Sequence, residues 1–350
     1  MRQLCIDCEG PITKNDNALE LCQHFLPRGG EFFPLISRYD DFLAYIAKKK
    51  GYRAGNTLSF ILPFLKAASL SNKKIIDFSR QSLLLISGAE KILPRLAKKI
   101  PIFIISTSYQ PYVQALCQRI KFPFRNTYST YLDLDKYHLP PEEVKRLNQF
   151  LDEVLQMPAI EISGVKKKNN LSAPSRKAIK RLDEIFFHEI PRMSCGRILE
   201  EVKPLGGEEK AKAILDSVRK TGSTPSEVMY IGDSITDVEA LNLVRKAGGV
   251  AISFNGNHYA LRAARVACIS PHFLPLKILG EIFYKEGKEG VEKTLREGFQ
   301  NIEGKVGEKL FSFEPPPVLE IINENNLEAL ILKSESMRKH LRGEEIGDLG

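Results

Sequence analysis

The feature that most constrains this chain is a set of short apolar runs, three of which end in acids or hydroxyls. They are Leu4–Cys8, Ile102–Ile105 ("IFII"), Val228–Ile231 ("VMYI") and Val250–Phe254 ("VAISF"), with Val266–Ile269 as a further one. A strand with one wet face alternates apolar and polar residues, whereas a strand covered on both faces does not. These runs therefore predict buried parallel strands. Helical patterns stand between them. From Glu208 to Lys220, for example, Ala211, Ile214, Leu215 and Val218 share one face, and Gly222 follows as a C-terminal cap. Strands alternating with such helices predict an α/β sheet with right-handed crossovers.

Two intervals are too long for a simple crossover. The first runs from about Thr13 to Ile100 and contains "DDFLAYIAKKKG" and "TLSFILPFLKAASL". The second runs from about Asn126 to Pro204 and contains "PPEEVKRLNQFLDEVLQM" and "SRKAIKRLDEIFFHEI". All four read as helices, with "YLDLDKY" and "AIEISGV" as candidate strands beside them. The 350 residues thus divide into an α/β core (1–12, 101–125 and 204–285), a helical cap insertion (13–100), a second insertion, α/β or helical (126–203), and a helical C-terminal extension (286–350). The extension breaks at Pro315-Pro316-Pro317, and "RGEEIGDLG" reads as a frayed end.

Hydrophobic residues at 43% and charged residues at 27% permit a large core. Lys and Arg number 51 against 43 Asp and Glu, a formal charge of +8. This favours anionic partners, phosphorylated metabolites among them. The basic residues are dispersed, and the densest runs, Lys48–Lys50 and Lys166–Lys168, are short. No zinc-finger, helix-turn-helix or RNP-like pattern is present, so a nucleic-acid partner is not expected. Six scattered cysteines without a secretory signal predict reduced thiols and a cytoplasmic protein. Cys5 and Cys8 form a C-x-x-C, but no second ligand pair accompanies it, and it lies in a strand rather than opening a helix. No apolar run approaches the ~20 residues of a membrane span.

The acids define the chemistry. Asp7 and Glu9 close the first run; "YIGDSITD" places Asp233 at the end of another, with Asp237 at the start of a helix; "FIISTSY" ends a third in Ser106, Thr107 and Ser108. Parallel sheets gather ligands at the carboxyl ends of their strands, so the three groups should converge. Each alone reads more simply as a turn or helix cap; the set in order carries the weight. Carboxylates among hydroxyls suit Mg²⁺, and a cation lets a carboxylate approach a phosphate dianion. One acid can then attack phosphorus while a second carries the proton.

In this order the motifs resemble the haloacid dehalogenase (HAD) superfamily, and most closely its phosphoserine-phosphatase-like branch. "CIDCEGP" matches the strand ending in Asp-x-Asp, and "FIISTSYQPYV" the strand ending in Ser or Thr. "GGEEKAKAIL" supplies a lysine, Lys210, with Lys203 and Lys212 as alternatives, and "IGDSITDVEAL" matches Gly-Asp-x-x-x-Asp. The insertions fall where this superfamily inserts caps. The layout also resembles archaeal HAD-like proteins with a D-x-E-G-P start, some of them described as hydrogenase-associated subunits. The resemblance implies a Rossmann-like parallel sheet with helices on both faces, helical caps, and an Mg²⁺-dependent phosphatase acting through an aspartyl-phosphate. It implies Asp7 as nucleophile and metal ligand, and Glu9 as general acid/base with its backbone carbonyl on the metal. Ser106, Thr107 and Lys210 would bind phosphate. Asp233 would ligate the metal, and Asp237 would support the metal shell or position Lys210.

Glu9 departs from the family's second Asp by one methylene, and Pro11 stiffens the loop that follows. The expected substrate is a small phosphorylated metabolite, with Arg28, Arg38, Tyr39, Arg53 and Phe60 as candidate cap contacts. Two other readings keep the fold: a catalytically weak binding subunit whose partner docks on 286–350, and a changed reaction, either dehalogenation, against which Glu9, Asp233 and Asp237 argue, or phosphoryl transfer to another acceptor.

Overall fold

The computed structural model describes residues 1–49, 52, 54–162, 165, 167–298 and 312–347. Arg53, Lys50, Lys166 and the last three residues of the "RGEEIGDLG" segment lie outside the described residues. Seven strands form one sheet: β1 (Gln3–Ile6), β2 (Ile102–Tyr109), β3 (Thr127–Thr130), β4 (Val228–Gly232), β5 (Val250–Phe254), β6 (Val266–Ile269) and β7 (Val318–Ile321). Their order is β3-β2-β1-β4-β5-β6-β7. The first six are parallel, and β7 is antiparallel to β6.

The helices are α1 (Asn17–Phe25), α2 (Gly29–Asp41), α3 (Thr57–Ala67), α4 (Asn72–Ser82), α5 (Ala89–Ala97), α6 (Gln110–Ile120), α7 (Pro141–Leu155), α8 (Ala173–Glu184), α9 (Gly196–Glu201), α10 (Glu208–Thr221), α11 (Val238–Lys246), α12 (His258–Ala263), α13 (Leu274–Glu297, kinked at Gly287), α14 (Leu327–Arg342) and α15 (Glu344–Gly347). Alternate residues of each strand face two separate cores. Leu4, Ile6, Ile104 and Ile231 pack with α5, α6 and α13. Cys5, Phe103, Ile105 and Tyr230 pack with α10 and α11. Burial on both faces is why these strands read as continuous apolar runs.

Between β2 and β4 sits β1, with Ile6 in register with Ile104 on one side and Ile231 on the other. The chain leaves β1 toward one neighbour and returns on the other, and the carboxyl end of such a switch point opens a crevice. A mainly helical layer covers it. Tyr39, Phe60 and Phe64 of α2 and α3 share one core with Leu147, Phe150, Ile179 and Phe186, so helices from both long intervals pack together.

Four local expectations are corrected. Residues 127–130 are the edge strand β3 rather than part of an insertion, and within 286–350 lies β7. Their half-buried residues lack the apolar continuity that marks the inner strands. Residues 86–97 pack on the sheet through Ile86, Leu93 and Leu96, so the sheet layer begins before residue 101. The described parts of "YLDLDKY" and "AIEISGV" form no strand. Among the described residues no helix is long and apolar enough to cross a membrane.

Candidate active site

Asp7 follows β1 directly, and its N–H donates to the Ile231 carbonyl at 2.9 Å. That bond fixes the acid at the switch point, 4% exposed. Its Oδ1 accepts the Cys8 N–H (2.7 Å), and its Oδ2 lies 2.8 Å from Lys210 Nζ. Lys210 sits in the first turn of α10 and is fully buried. Burial alone would lower its pKa, but Asp237 and Asp7 outweigh burial and raise it, so the ammonium is held charged. Lys203 and Lys212 are peripheral: Lys203 is exposed, and Lys212 pairs with Glu209 on the surface. The lysine brought to the acids is Lys210.

Asp237 closes the triad at 2.7 Å from Lys210 Nζ. Its Oδ1 also accepts the Tyr230 hydroxyl (2.5 Å). Its Oδ2 accepts the N–H groups of Asp233 and Ser234 (3.0 Å each) and the Ser234 hydroxyl (3.3 Å). Burial pushes this carboxyl up, but Lys210 and these donors hold it below the usual carboxylate range. Five donors occupy its two oxygens, so Asp237 holds Lys210 and the turn after β4; it has no oxygen left over for a metal. Glycine is required beside it, because a Cβ on Gly232 would lie 2.5 Å from Asp237 Cγ. The same holds across the cleft. Gly10 adopts φ +99°, and a Cβ there would lie 2.3 Å from the Asp233 carboxyl.

Glu9 does not join the cluster through its carboxylate. Its Oε1 accepts the Asn17 N–H at 2.7 Å, at the first turn of α1, where Asp16 caps Leu19 N–H (3.0 Å). The extra methylene thus ties the loop after β1 to the covering layer. Burial, then the charge of Asp16, hold the Glu9 carboxyl well above the usual range. Asp7 is likewise raised by burial and then by Asp237. Ser106 Oγ donates to Ser108 Oγ (3.0 Å) and accepts the Ser108 N–H (3.1 Å). Thr107 donates to the Leu205 carbonyl (3.1 Å).

Asp7, Glu9, Asp16, Ser106, Thr107, Ser108 and Asp233 line one cleft of about 130 Å³, roofed by Phe33, Ser37, Asp40, Asp41, Thr57 and Leu58, with Lys210 and Asp237 outside the lining. Arg28, Arg38, Tyr39 and Phe60 are not among the lining residues. Tyr39 and Phe60 belong to the cap core, where Phe60 packs on Phe186 with ring centroids 4.4 Å apart. Arg28 pairs with Glu31 on the surface, and Arg38 is exposed. Cys5 and Cys8 are buried, and burial pushes the Cys5 thiol up to about 11 and Cys8 well above its ordinary value. Neither is poised for redox or metal work.

Two residues that sequence reading missed complete the site. Arg338 and Arg342 reach it from α14. Arg338 Nη1 donates to both the carbonyl and Oδ2 of Asp233. Arg342 Nη1 donates to the same Oδ2 (3.0 Å), while its Nε and Nη2 donate to the carbonyls of Lys14 (3.0 Å) and Asn15 (2.6 Å). The available signal was position. Leu330, Ile331, Ser334, Met337 and Arg338 form one buried stripe of α14, and polar residues on an apolar stripe need internal partners.

Oxygens of Asp7, Asp233 and Asp237 lie within 4.8 Å of one another. Hard oxygens so close are of the kind Mg²⁺ takes. With Asp237 saturated, Asp7 and Asp233 are the side chains that fit, and the Asp233 Oδ2 already faces two guanidinium groups.

No protein-family model matches the sequence, and no curated protein matches it. Among solved structures the chain is similar to gene product AF1437 from Archaeoglobus fulgidus, with 29% identity, coverage of 100% of this chain and 99% of that one, and a TM-score of 0.83. That likeness spans the sheet, the covering helices and α14 alike. The chain also matches a phospho-aspartyl intermediate analogue of phosphoserine phosphatase (10% identity, 75% of this chain and 90% of that one, TM-score 0.43). A third match is HAD family hydrolase t0658 from Salmonella enterica subsp. enterica serovar Typhi (12% identity, 73% and 62%, TM-score 0.40). The last two are too loose to bear on the site. What stands without them is a mostly parallel α/β sheet with a buried carboxylate–lysine–carboxylate group at its switch point.

Proposed function

We propose that this chain is a HAD-like hydrolase that removes phosphate from a small phosphomonoester through an aspartyl-phosphate at Asp7. The observation that carries this reading is the Asp7–Lys210–Asp237 group, with Lys210 2.8 Å and 2.7 Å from the two acids. An acid held in place at a switch point, beside a fixed ammonium and hydroxyls, is suited to attack an electrophile bearing negative charge.

In the first half-reaction an Asp7 carboxylate oxygen bonds to phosphorus, and the bond from phosphorus to the ester oxygen breaks. That oxygen takes a proton from Glu9, whose carboxyl burial and the charge of Asp16 raise. In the second, Glu9 takes a proton from a water whose oxygen bonds to phosphorus, and the Asp7 ester breaks to release phosphate. Lys210 faces the charge on the non-bridging oxygens, and Ser106 and Thr107 lie at the cleft wall to receive them. Asp7, Asp233 and the Glu9 backbone carbonyl would hold Mg²⁺, which when bound offsets the repulsion between phosphate and carboxylate. The small cleft and its roof favour a small soluble substrate over a macromolecule.

A catalytically weak binding subunit is the poorer reading. The helix expected to offer a docking face, α14, buries Leu330, Ile331 and Met337 against Leu261, Ala267 and Ile269 of its own core. The test is hydrolysis of a generic aryl phosphate. Turnover that needs Mg²⁺, stops in EDTA and falls by about 10³-fold or more in Asp7→Asn supports the reading. Folded, Mg²⁺-supplied wild type that turns over neither the aryl phosphate nor a panel of phosphorylated metabolites overturns it.

A further inference from the structure

Three acids and three cations meet at the floor of the cleft. Asp7 and Asp237 share Lys210, and Asp233 receives Arg338 and Arg342. Within this group of six the formal charges balance, with Glu9 and Asp16 lining the same cleft. The two arginines arrive from a region more than 100 residues beyond β4, on a helix built into the fold. Ser334 Oγ donates to the Gly256 carbonyl (2.7 Å), His258 N–H donates to Glu335 (3.2 Å), and Arg262 pairs with Glu328 (2.7 Å). In addition, β7, which precedes α14, pairs along β6.

Arg342 spends two of its nitrogens on the carbonyls of Lys14 and Asn15. These are fixed backbone acceptors, and they keep Arg342 in place whatever happens to Asp233. Arg338 is 4% exposed and donates to the carbonyl and Oδ2 of Asp233. Both arginines address Oδ2, an oxygen that a hard cation between Asp7 and Asp233 would also need. Like charges in a poorly solvated cleft repel strongly. A cation and this guanidinium pair are therefore rivals for Asp233.

We propose that Arg338 and Arg342 form a tethered counter-ion for Asp233 with which a divalent cation must compete, so that α14 sets the cation affinity of the site. Arg342 is anchored by the carbonyls of Lys14 and Asn15. Both arginines are positioning residues: they act on Asp233 rather than on substrate. The inference rests on the cation-dependent reading above, but it is measured separately from it.

The probe is Mn²⁺, followed by the loss of its free electron paramagnetic resonance signal on titration into the full chain. Arg338→Gln is expected to bind Mn²⁺ at least about tenfold more tightly than wild type, and Arg338→Lys, which keeps a charge but loses the fork, to fall between them. Asp233→Asn is expected to abolish the gain. Affinities equal within twofold in wild type and Arg338→Gln, weaker binding in the variant, or no binding in either would overturn the proposal. Should Arg338→Gln fail to fold, wild type supplies the second measurement. Saturating Mn²⁺ should speed backbone hydrogen exchange in residues 334–342, and unchanged exchange at saturation overturns the proposal. A tighter Arg338→Gln site without phosphatase turnover would leave the counter-ion standing and remove the phosphatase. Turnover dependent on Asp7, with Mn²⁺ affinity indifferent to Arg338, would do the reverse.

Discussion

The two halves of the site are built on opposite plans. On one side, Asp7, Lys210, Asp237 and Tyr230 form a closed set. Lys210 and Asp237 are fully buried, and every oxygen of Asp237 is spoken for. On the other, Asp233 is neutralised from outside, by two arginines on a helix that reaches the sheet only after β7. A closed set fixes geometry and tolerates no loss. An outside counter-charge can be exchanged. The molecule thus pairs a rigid reactive half with an adjustable binding half, and both depend on the strand end where Gly232 leaves room for the Asp237 carboxyl.

The largest expected effect tests the closed half. Lys210→Met strands Asp7 and Asp237 as buried carboxylates without their cation. Breaking a buried pair this way costs about 3–5 kcal/mol, to be read by chemical denaturation. A cost near zero would mean that the triad is not closed at all. Next comes the adjustable half. Arg342→Gln frees the Lys14 and Asn15 carbonyls but leaves Arg338 on Asp233, and should cost about 2 kcal/mol. A cost equal to that of Lys210→Met would erase the difference between the halves.

A smaller effect concerns the roof of the cleft. Burial and the Asp40 charge push Asp41 up to about 7, above the roughly 3.9 of an unfolded aspartate. A raised carboxyl is favoured protonated in the folded state. Asp41 therefore costs nothing below its unfolded pKa, costs progressively more as the pH rises toward 7, and costs a constant amount above that. Asp41→Asn should gain on wild type by on the order of 1–2 kcal/mol between pH 5 and pH 8, measured by denaturation at each pH. A difference independent of pH would show that Asp41 is ionised throughout. The smallest effect is at Glu9. Glu9→Asp shortens the reach to Asn17 N–H and should cost about 1 kcal/mol, the usual worth of a helix cap. Stability unchanged in that variant would separate the loop after β1 from α1.

Much of this was legible in the sequence. The inner strands announced themselves because burial on both faces leaves no room for polar alternation. Asp7, Asp233 and Asp237 were legible because acids directly after such runs must stand at strand ends. Lys210 was legible among its alternatives only through its place in the first turn of α10. The edge strands β3 and β7 were not, since "TYST" and "VLEI" are half-exposed and carry no unbroken apolar signal. The cap contacts misled for a different reason. Tyr39 and Phe60 are large aromatics, and in a helical layer such residues fill the core before they line a cleft. The arginines were the deepest omission. Basic residues near a helix end read as solvated surface, and only the packing of α14 across β6 and α12 turns them inward.

The bond from Arg342 to the Lys14 carbonyl joins residues 328 positions apart. Chains emerge from the ribosome N-terminus first, at about 5–20 residues per second. The loop that follows Asp7 is therefore made well before the side chain that satisfies it. Until α14 has been made, the nascent sheet carries its acids without their arginines, and the cleft acquires this counter-charge only then.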